Sequence, residues 1–143
     1  MLIRPPARGR RAAGFTLLEL LVVMVIIGLL AGFVAPRYFA QVGKSQAKVA
    51  KAQVTSIEQA LDQFRLDVGR YPTTEEGLDA LNVAPPSVEG WGGPYMKKAL
   101  PNDPWGRPYV YEQPGRNSEV DVMSLGRDGR PGGSGEDADV GNW

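Results

Sequence analysis

The stretch GFTLLELLVVMVIIGLLAGFVA, residues 14–35, decides how this chain is organised. In the 21 residues from Phe15 to Ala35, only Thr16 and Glu19 are clearly polar. A helix rises about 1.5 Å per residue, so this segment would be roughly 30 Å long, which matches the hydrocarbon thickness of a bilayer. The stretch therefore predicts a membrane-spanning helix near the start of the chain.

The segment before this helix, residues 1–14, is basic. It holds no acid, and its basic residues are Arg4, Arg8, Arg10 and Arg11. The positive-inside rule keeps them on the cytoplasmic side and sends the chain after residue 36 across the membrane. A cleaved secretory signal has a shorter apolar region and a small-x-small cleavage site, for which Ala35-Pro36-Arg37 is a poor match. A plain signal anchor is the simplest alternative.

The composition argues against an enzyme. The 143 residues hold 16 Lys+Arg and 16 Asp+Glu, with no Cys and no His. The chain thus lacks disulfides, thiolate nucleophiles, the usual zinc ligands and the commonest general base, which disfavours an ordinary hydrolase or metalloenzyme. The balanced charge gives no reason to expect a nucleic-acid partner. Without the leader arginines, 12 basic and 16 acidic side chains remain, a charge of −4.

Glu19 is unexpected in a membrane-spanning helix, because placing a carboxylate inside the membrane costs free energy. An acid in such a segment therefore indicates a functional role. The helix macrodipole favours an acid in the first turn, but only slightly. A positive charge at the same depth would be the natural partner. Cleavage between Gly14 and Phe15 would create such a charge, a free α-amine four residues before Glu19.

A second apolar pattern follows the first. Its members recur at alternating spacings of three and four residues and are Ala47, Ala50, Val54, Ile57, Leu61, Phe64 and Val68. This is one face of a helix, and Gly69 after it is a typical stop signal. We expect one helix over roughly 15–68, kinked or locally melted before Pro36. A coiled coil is the alternative, but the Gly-terminated stripe favours packing onto a small domain.

Short elements are expected after this helix. The capping-box pattern Thr73-x-x-Glu76 predicts a short helix over 75–81. Tyr109–Glu112 and Val120–Ser124 are rich in β-formers and flank a Pro-Gly turn, which predicts a hairpin.

Residues 83–108 are rich in Pro and Gly, and we expect an irregular loop there. Trp91, Tyr95 and Trp105 are its expected buried anchors. An aromatic sugar-binding platform is the less favoured alternative.

The C-terminal segment cannot build a core of its own, since it holds four acids and six Gly between 126 and 141. A solvated acidic tail is the simplest interpretation, although Val140 and Trp143 indicate that part of it docks. A hard cation would relieve the crowding of acids, and Ca²⁺ readily takes carboxylate and carbonyl oxygens. The spacing does not match an EF-hand. The acids concerned are Asp128, Asp137 and Asp139.

Gly14-Phe15-Thr16-Leu17-Leu18-Glu19, followed by the apolar run, resembles the class III signal of type IV pilins and pseudopilins. In that family a prepilin peptidase cuts after the Gly and N-methylates the new Phe terminus. The resemblance implies that Gly14 is the cleavage residue and Phe15 the methylated terminus. Glu19 would be the assembly acid that pairs with the N-terminal amine of a neighbouring subunit.

Three further motifs narrow the resemblance. RYPTTExGLxAL at 70–81, PxDPWG at 101–106 and SLGxDG at 124–129 are similar to the G-type major pseudopilins of type II secretion systems. Type IVa pilins carry a C-terminal disulfide loop, and this chain has no Cys. The resemblance implies an α+β, pilin-like fold: a long N-terminal helix and a small head of short helix, aromatic loop, β-hairpin and calcium-binding loop.

The resemblance also implies one Ca²⁺, held by two Asp side chains and several main-chain carbonyls. Asp128 and Asp139 match the two carboxylate positions, with Asp137 as the alternative to Asp139. The carbonyl donors would lie near Leu125, Arg130 and Ser134.

The implied protein is a structural subunit, not an enzyme, that polymerises into a periplasmic filament helping to export folded proteins. Its expected segments are a leader (1–14), a transmembrane assembly helix (15–36) and a periplasmic head (37–143) that includes a helical spine (37–68). Expected partners are further copies of itself, minor pseudopilins, the inner-membrane assembly platform, prepilin peptidase and, before assembly, the membrane. The alternatives are a subunit of another filament system and a membrane-tethered binding module.

Overall fold

The structure is a computed structural model that describes residues 14–143. The leader expected over 1–14 therefore lies, apart from Gly14, outside the described residues. The chain divides into two compact units, Met1–Phe39 and Ala40–Trp143.

One long helix, α1, runs over Leu17–Val68 and confirms the helix expected from the two apolar patterns. It ends where Gly69 takes a left-handed φ of +85° and donates its N–H to the carbonyl of Arg65 at 2.8 Å. The expected local melting before Pro36 is wrong, since the helix is continuous through that position. A proline removes one main-chain hydrogen bond, while the turns on either side keep theirs.

The core lies in the second unit, on the predicted stripe of α1. Ala50, Val54, Ile57, Leu61 and Phe64 are all buried. The last four of these pack against side chains from the rest of the head, namely Leu78, Ala80, Leu81, Tyr109, Tyr111, Val120 and Val122. Full burial of one such Val, Leu, Ile or Phe side chain contributes roughly 1.5–3 kcal/mol, so this stripe is what holds the head on its helix.

The first unit, in contrast to the second, has no buried apolar side chain among its described residues. Its described apolar side chains, from Phe15 to Phe39, are exposed. Among the described residues, α1 is the one helix long and apolar enough to cross a membrane, with a mean hydropathy of 2.8 over its most apolar window. No residue of 14–42 is buried, so lipid or other molecules must cover this apolar surface.

The capping box predicted at Thr73 and Glu76 is present. The Thr73 N–H donates to Glu76 Oε2 at 2.8 Å, and the Glu76 N–H donates to Thr73 Oγ1 at 3.2 Å. The helix expected over 75–81 is shorter than predicted, a 3-10 helix at Leu78–Leu81 preceded by a turn. Gly77 explains the difference, because its φ of +61° is outside the helical region.

Two of the three predicted aromatic anchors fix the irregular loop. Trp91 donates its indole N–H to the Ala80 carbonyl at 2.8 Å. Tyr95 lies edge-on to Phe64 and to Trp91, with ring centroids 5.6 and 5.7 Å apart. Trp105 is half-buried, and its indole N–H has no partner among residues 14–143. The rings of Trp91 and Tyr95 are thus used in packing.

The head has a three-stranded antiparallel sheet, made of β1 (Val110–Glu112), β2 (Asp121–Ser124) and β3 (Val140–Gly141) in that order. The β1–β2 pair, with Tyr111 opposite Val122, confirms the predicted hairpin. The third strand was not predicted. It pairs Gly141 with Met123 and Val140 with Ser124, so the C-terminal segment returns to the sheet.

Asp121 is a fully buried carboxylate that holds the β1–β2 turn together. It accepts five hydrogen bonds, from the main chain of Arg116, Asn117 and Ser118 and from the side chains of Asn117 and Ser118. Burial raises the pKa of this carboxyl group, but the main-chain hydrogen bonds outweigh it, and the pKa lies below its ordinary value of 3.8.

Replacing Asp121 with Asn should lower the free energy of unfolding by roughly 2–3 kcal/mol at neutral pH, because buried main-chain donors lose a charged acceptor. Since the native pKa is depressed, the contribution of Asp121 is full above the unfolded pKa and is lost as pH falls through the native one. Denaturant unfolding of residues 40–143 across pH 2–7 measures both effects.

The matched control is Glu119→Gln, at a neighbouring acid that is exposed and paired with Arg65. It should change stability much less. Equal losses in the two variants, or an Asp121→Asn variant with the native acid sensitivity, would contradict the role given to Asp121.

Candidate functional site

The start of α1 presents an accessible peptide bond. Gly14, Phe15 and Thr16 precede the helix, are not in regular structure and are exposed. The Phe15 side chain is 86% exposed, and a Cβ added to Gly14 would meet no atom within 4 Å. The Gly14–Phe15 bond, predicted as the cleavage site, therefore lies in open, irregular backbone that a peptidase can bind.

Thr16 and Glu19 cap the helix reciprocally. The N–H and the hydroxyl of Thr16 donate to Glu19 Oε2 at 3.0 and 3.1 Å, and the Glu19 N–H donates to Thr16 Oγ1 at 3.2 Å. This capping box satisfies two main-chain donors that would otherwise be unpaired in a membrane. Glu19 Oε1 accepts no hydrogen bond within the described residues, so one carboxylate oxygen is available to another molecule.

Sequence reasoning missed this cap. The Thr-x-x-Glu spacing that identified the capping box at 73–76 is also present at 16–19. The same residues form the cleavage and assembly signal, and this overlap conceals the capping role of Glu19.

The C-terminal loop is ordered by two arginines. Arg107 donates to the carbonyls of Gly126 and Arg127, both at 2.9 Å. Arg127 pairs with Glu136 at 2.8 Å and with Asp137 at 3.0 Å. The segment is therefore not a solvated tail, and the expectation that part of it docks is confirmed by the pairing of β3 with β2. Neither arginine carries a local sequence signal.

The three acids of the predicted metal site have different surroundings. Asp137 is engaged by the Arg127 guanidinium. Asp128 Oδ1 accepts the N–H of Arg130 at 3.0 Å, and Asp139 Oδ2 accepts the N–H of Gly132 at 2.8 Å. The other oxygen of Asp139, Oδ1, is buried and has no partner within residues 14–143.

Two glycines let the loop close on itself. Gly126 has a φ of +64°, and a Cβ on it would lie 2.8 Å from the Ala138 carbonyl oxygen. Gly133 has a φ of +86°, and its Cβ would collide with the main chain of Asp137. The loop thus wraps main chain against main chain, as a site lined by carbonyl oxygens requires.

The same loop is attached to α1. The Glu136 side chain lies where a side chain on Gly43 would be. Lys51 donates through Nζ to the carbonyls of Gly141 and Trp143 at 2.6 and 3.2 Å. None of these contacts was predicted, because their partners are distant in sequence and carry no local signal.

The residues of the C-terminal loop are more compatible with a small cation site made of carbonyl and carboxylate oxygens than with one made of several clustered acidic side chains. Within the part of the chain that the structure describes, no three His, Cys, Asp or Glu side chains are grouped to hold a metal. A calcium site built from two carboxylates and main-chain carbonyls needs no such group. The unpartnered Oδ1 of Asp139 and the glycine-lined wrap are compatible with that donor set. The Ser134 carbonyl already accepts the N–H of Asp137 at 3.1 Å and has a second lone pair left.

Comparisons with known proteins identify the family of the chain. A family model described as type II secretion system, protein G matches residues 37–143, and the prokaryotic N-terminal methylation motif matches residues 9–35. The chain is 45% identical to the type II secretion system core protein G of Vibrio cholerae, covering 94% of this chain and 93% of that protein. It is 44% identical to that of Pseudomonas aeruginosa, covering 94% and 96%.

A solved structure shares the fold. It is the crystal structure of the major pseudopilin from the type 2 secretion system of enterohaemorrhagic Escherichia coli, 38% identical in sequence. The TM-score is 0.61, over 70% of this chain and 88% of that one. On the matched residues and these identities, the chain belongs to the protein G family of the type II secretion system.

Proposed function

We propose that this chain is the major structural subunit of a type II secretion pseudopilus, a filament that helps export folded proteins across the outer membrane. One observation carries the proposal. The chain combines a head that has a hydrophobic core with a helix of membrane length whose apolar side chains are exposed. Such a helix needs lipid before assembly and other copies of the same helix after it.

Processing begins at Gly14. A prepilin peptidase cuts the exposed bond to Phe15 and removes the basic leader, and the new terminus is N-methylated. Methylation leaves the amine protonated, so a cation remains at Phe15. The products are a short basic peptide and a subunit whose first residue is charged.

Assembly then uses Glu19. Its Oε1 is free of hydrogen bonds among the described residues, while Oε2 caps α1 through Thr16. The protonated terminus of a neighbouring Phe15 binds to Oε1 and neutralises the carboxylate where water is scarce. Because each subunit offers its amine to one neighbour and its acid to another, the contact is heterologous and propagates into a helical filament.

The remaining partners follow from this role. The head, residues 37–143, lies in the periplasm, with the subunit anchored in the inner membrane by residues 15–36 until it is extracted. Minor pseudopilins and the inner-membrane assembly platform are the partners at the ends of the filament. The subunit catalyses no reaction of its own.

Calcium is part of the proposal. The Asp128 and Asp139 side chains would hold the ion, with main-chain carbonyls near Leu125, Arg130 and Ser134. The buried, unpartnered Oδ1 of Asp139 supports this choice, and the pairing of Asp137 with Arg127 argues against Asp137 as the second carboxylate. When bound, the ion would close a loop that lacks a core, so its binding energy would be folding energy.

The mature N-terminus separates this proposal from a simple membrane tether. Mass spectrometry of the membrane-extracted protein should find N-methylated Phe15 as the first residue. In a Gly14→Val variant the added Cβ meets no atom within 4 Å beyond the neighbouring residues, so we expect the fold to be kept while the cleavage site is blocked. That variant should retain Met1. An intact Met1 in the native chain would contradict the pseudopilin role and support the tether.

Replacing Glu19 with Gln tests the charge pair. Glutamine keeps an acceptor oxygen for Thr16, so α1 should still begin at the same residue and insertion should be unchanged. Loss of the charge should reduce filament assembly at least about tenfold, since it removes a charge-assisted hydrogen bond at every contact. Filament yield by shearing and electron microscopy is the measurement.

Glu89→Gln is the control for this variant, because Glu89 is an exposed acid of the head. It should assemble normally. Normal filaments from the Glu19→Gln variant would refute the charge pair.

Thermal melts of residues 40–143 with Ca²⁺ or EGTA test the ion. At about a hundredfold excess over the dissociation constant, Ca²⁺ should add about 2.7 kcal/mol and raise the midpoint by roughly 10 °C or more. Asp139→Asn should abolish the response, while Asp137→Asn should keep it. An unchanged midpoint in the native fragment would remove the calcium site, and loss of the response only in Asp137→Asn would reverse the assignment.

A further inference from the structure

Arg37 stands alone at the far end of the apolar segment. Among residues 14–39 the charged side chains are Glu19 and Arg37, and the next acid after Glu19 in the sequence is Glu58. Because Glu19 is 18 residues away along α1, no carboxylate of residues 14–39 lies at ion-pair distance from Arg37. Its guanidinium carbon lies 4.7 Å from the centroid of the Phe33 ring, one turn back along α1. The guanidinium is therefore held against an apolar surface without an anionic partner.

Aromatic residues follow Arg37 directly. Tyr38 and Phe39 are 64% and 66% exposed, and their rings meet edge to face with centroids 5.9 Å apart. Tyrosine is enriched where hydrocarbon meets the headgroups, and arginine extends its apolar stem along hydrocarbon with its charge at that level. The order of residues 33–39 is thus that of a membrane boundary.

The spacing of the two charges adds a constraint. Glu19 and Arg37 are 18 residues apart, about 27 Å along the helix. The hydrocarbon layer is about 30 Å thick, and any tilt shortens the projected distance further. An upright helix therefore cannot place the main chain at both residues in its own headgroup layer at once, and at least one of the two side chains must extend toward its layer. Whichever group binds its headgroups more strongly decides the depth of the other.

We infer that Arg37 binds the phosphate of a phospholipid in the leaflet facing the head, with Phe33 beneath the guanidinium, and so sets the depth of the subunit. The planar guanidinium can donate two parallel hydrogen bonds to phosphate oxygens, which a carboxylate at the other end cannot match. Glu19 is then kept inside the edge of the opposite leaflet, where a neighbour's amine is its best partner. The inference rests on the membrane orientation given under the proposed function.

Solid-state NMR can detect the contact directly. The full chain, labelled with ¹³C at the arginine guanidinium carbons, is placed in bilayers of phosphatidylglycerol and phosphatidylcholine, and ¹³C–³¹P dephasing is recorded. A bidentate contact corresponds to a carbon–phosphorus distance of about 4–5 Å. Arg37→Gln should lose the fast-dephasing component that Arg37 contributes. The matched control, Arg116→Gln, removes a head arginine that is 83% exposed and should change nothing.

The depth can be measured in the same bilayers. The chain has no Cys, so a spin label at a Leu21→Cys position reports the depth of the helix near Glu19. When Arg37→Gln is added, the label should move toward the cytoplasmic surface by about 3 Å, the shortfall between helix segment and hydrocarbon.

Each result of these measurements either supports or overturns the binding of Arg37 to phospholipid. Loss of the Arg37 component of the fast dephasing in Arg37→Gln but not in Arg116→Gln, with the spin label nearer the cytoplasmic surface, supports the inference. Equal dephasing in the native chain and both variants overturns it, whether Arg37 faces water or a carboxylate of a second subunit. If alkaline carbonate releases all three proteins from the bilayer, the membrane orientation itself fails and the inference fails with it. Insertion that is retained with no Arg37 signal overturns the inference alone.

Discussion

An apolar helix surface that its own chain does not cover is the constraint on which the rest of this molecule depends. No side chain within residues 14–42 is buried. Burial of each Leu, Ile, Val or Phe is worth roughly 1.5–3 kcal/mol, so the surface cannot stay in water. Lipid and further copies of the helix are chemically similar covers, which is why one segment can serve both as membrane anchor and as filament core. The polar groups at its end, Thr16 and Glu19, are paired with each other.

The head is held together by polar contacts as well as by its small core. Asp121 gathers the β1–β2 turn through five hydrogen bonds. Asp103 is nearly as buried and accepts hydrogen bonds from the main chain of Trp105 and Arg107 and from the hydroxyl of Ser124. In a chain with no Cys these charge-assisted contacts stand where disulfides would otherwise fix irregular segments. They tie loops that could not fold by burial alone.

The parts that sequence predicted well are those with a local physical signal. The apolar stripe and Gly69 gave α1 its extent, and β-formers around a Pro-Gly turn gave the hairpin. The short helix was predicted to be longer than it is, because Gly77 has a positive φ that the capping-box pattern at Thr73 does not indicate. Strand β3 has two residues, one of them Gly, and it exists only because β2 offers an edge. Arg107 bonds main-chain carbonyls about 20 residues away, a pairing that no spacing rule encodes.

Gly43 shows how such a distant contact constrains substitution. Inside a helix, alanine is normally better than glycine by roughly 0.5–1 kcal/mol, so a stabilising redesign would choose it here. In this chain the Glu136 side chain fills the space that the new methyl group needs, and Glu136 is the partner of Arg127. Position 43 is therefore coupled to position 136, and drift at one should be tolerated only with a compensating change at the other. A gain in local helix propensity would be set against a displaced Glu136 side chain and its ion pair with Arg127, so the glycine in the helix makes room for the docked C-terminal segment.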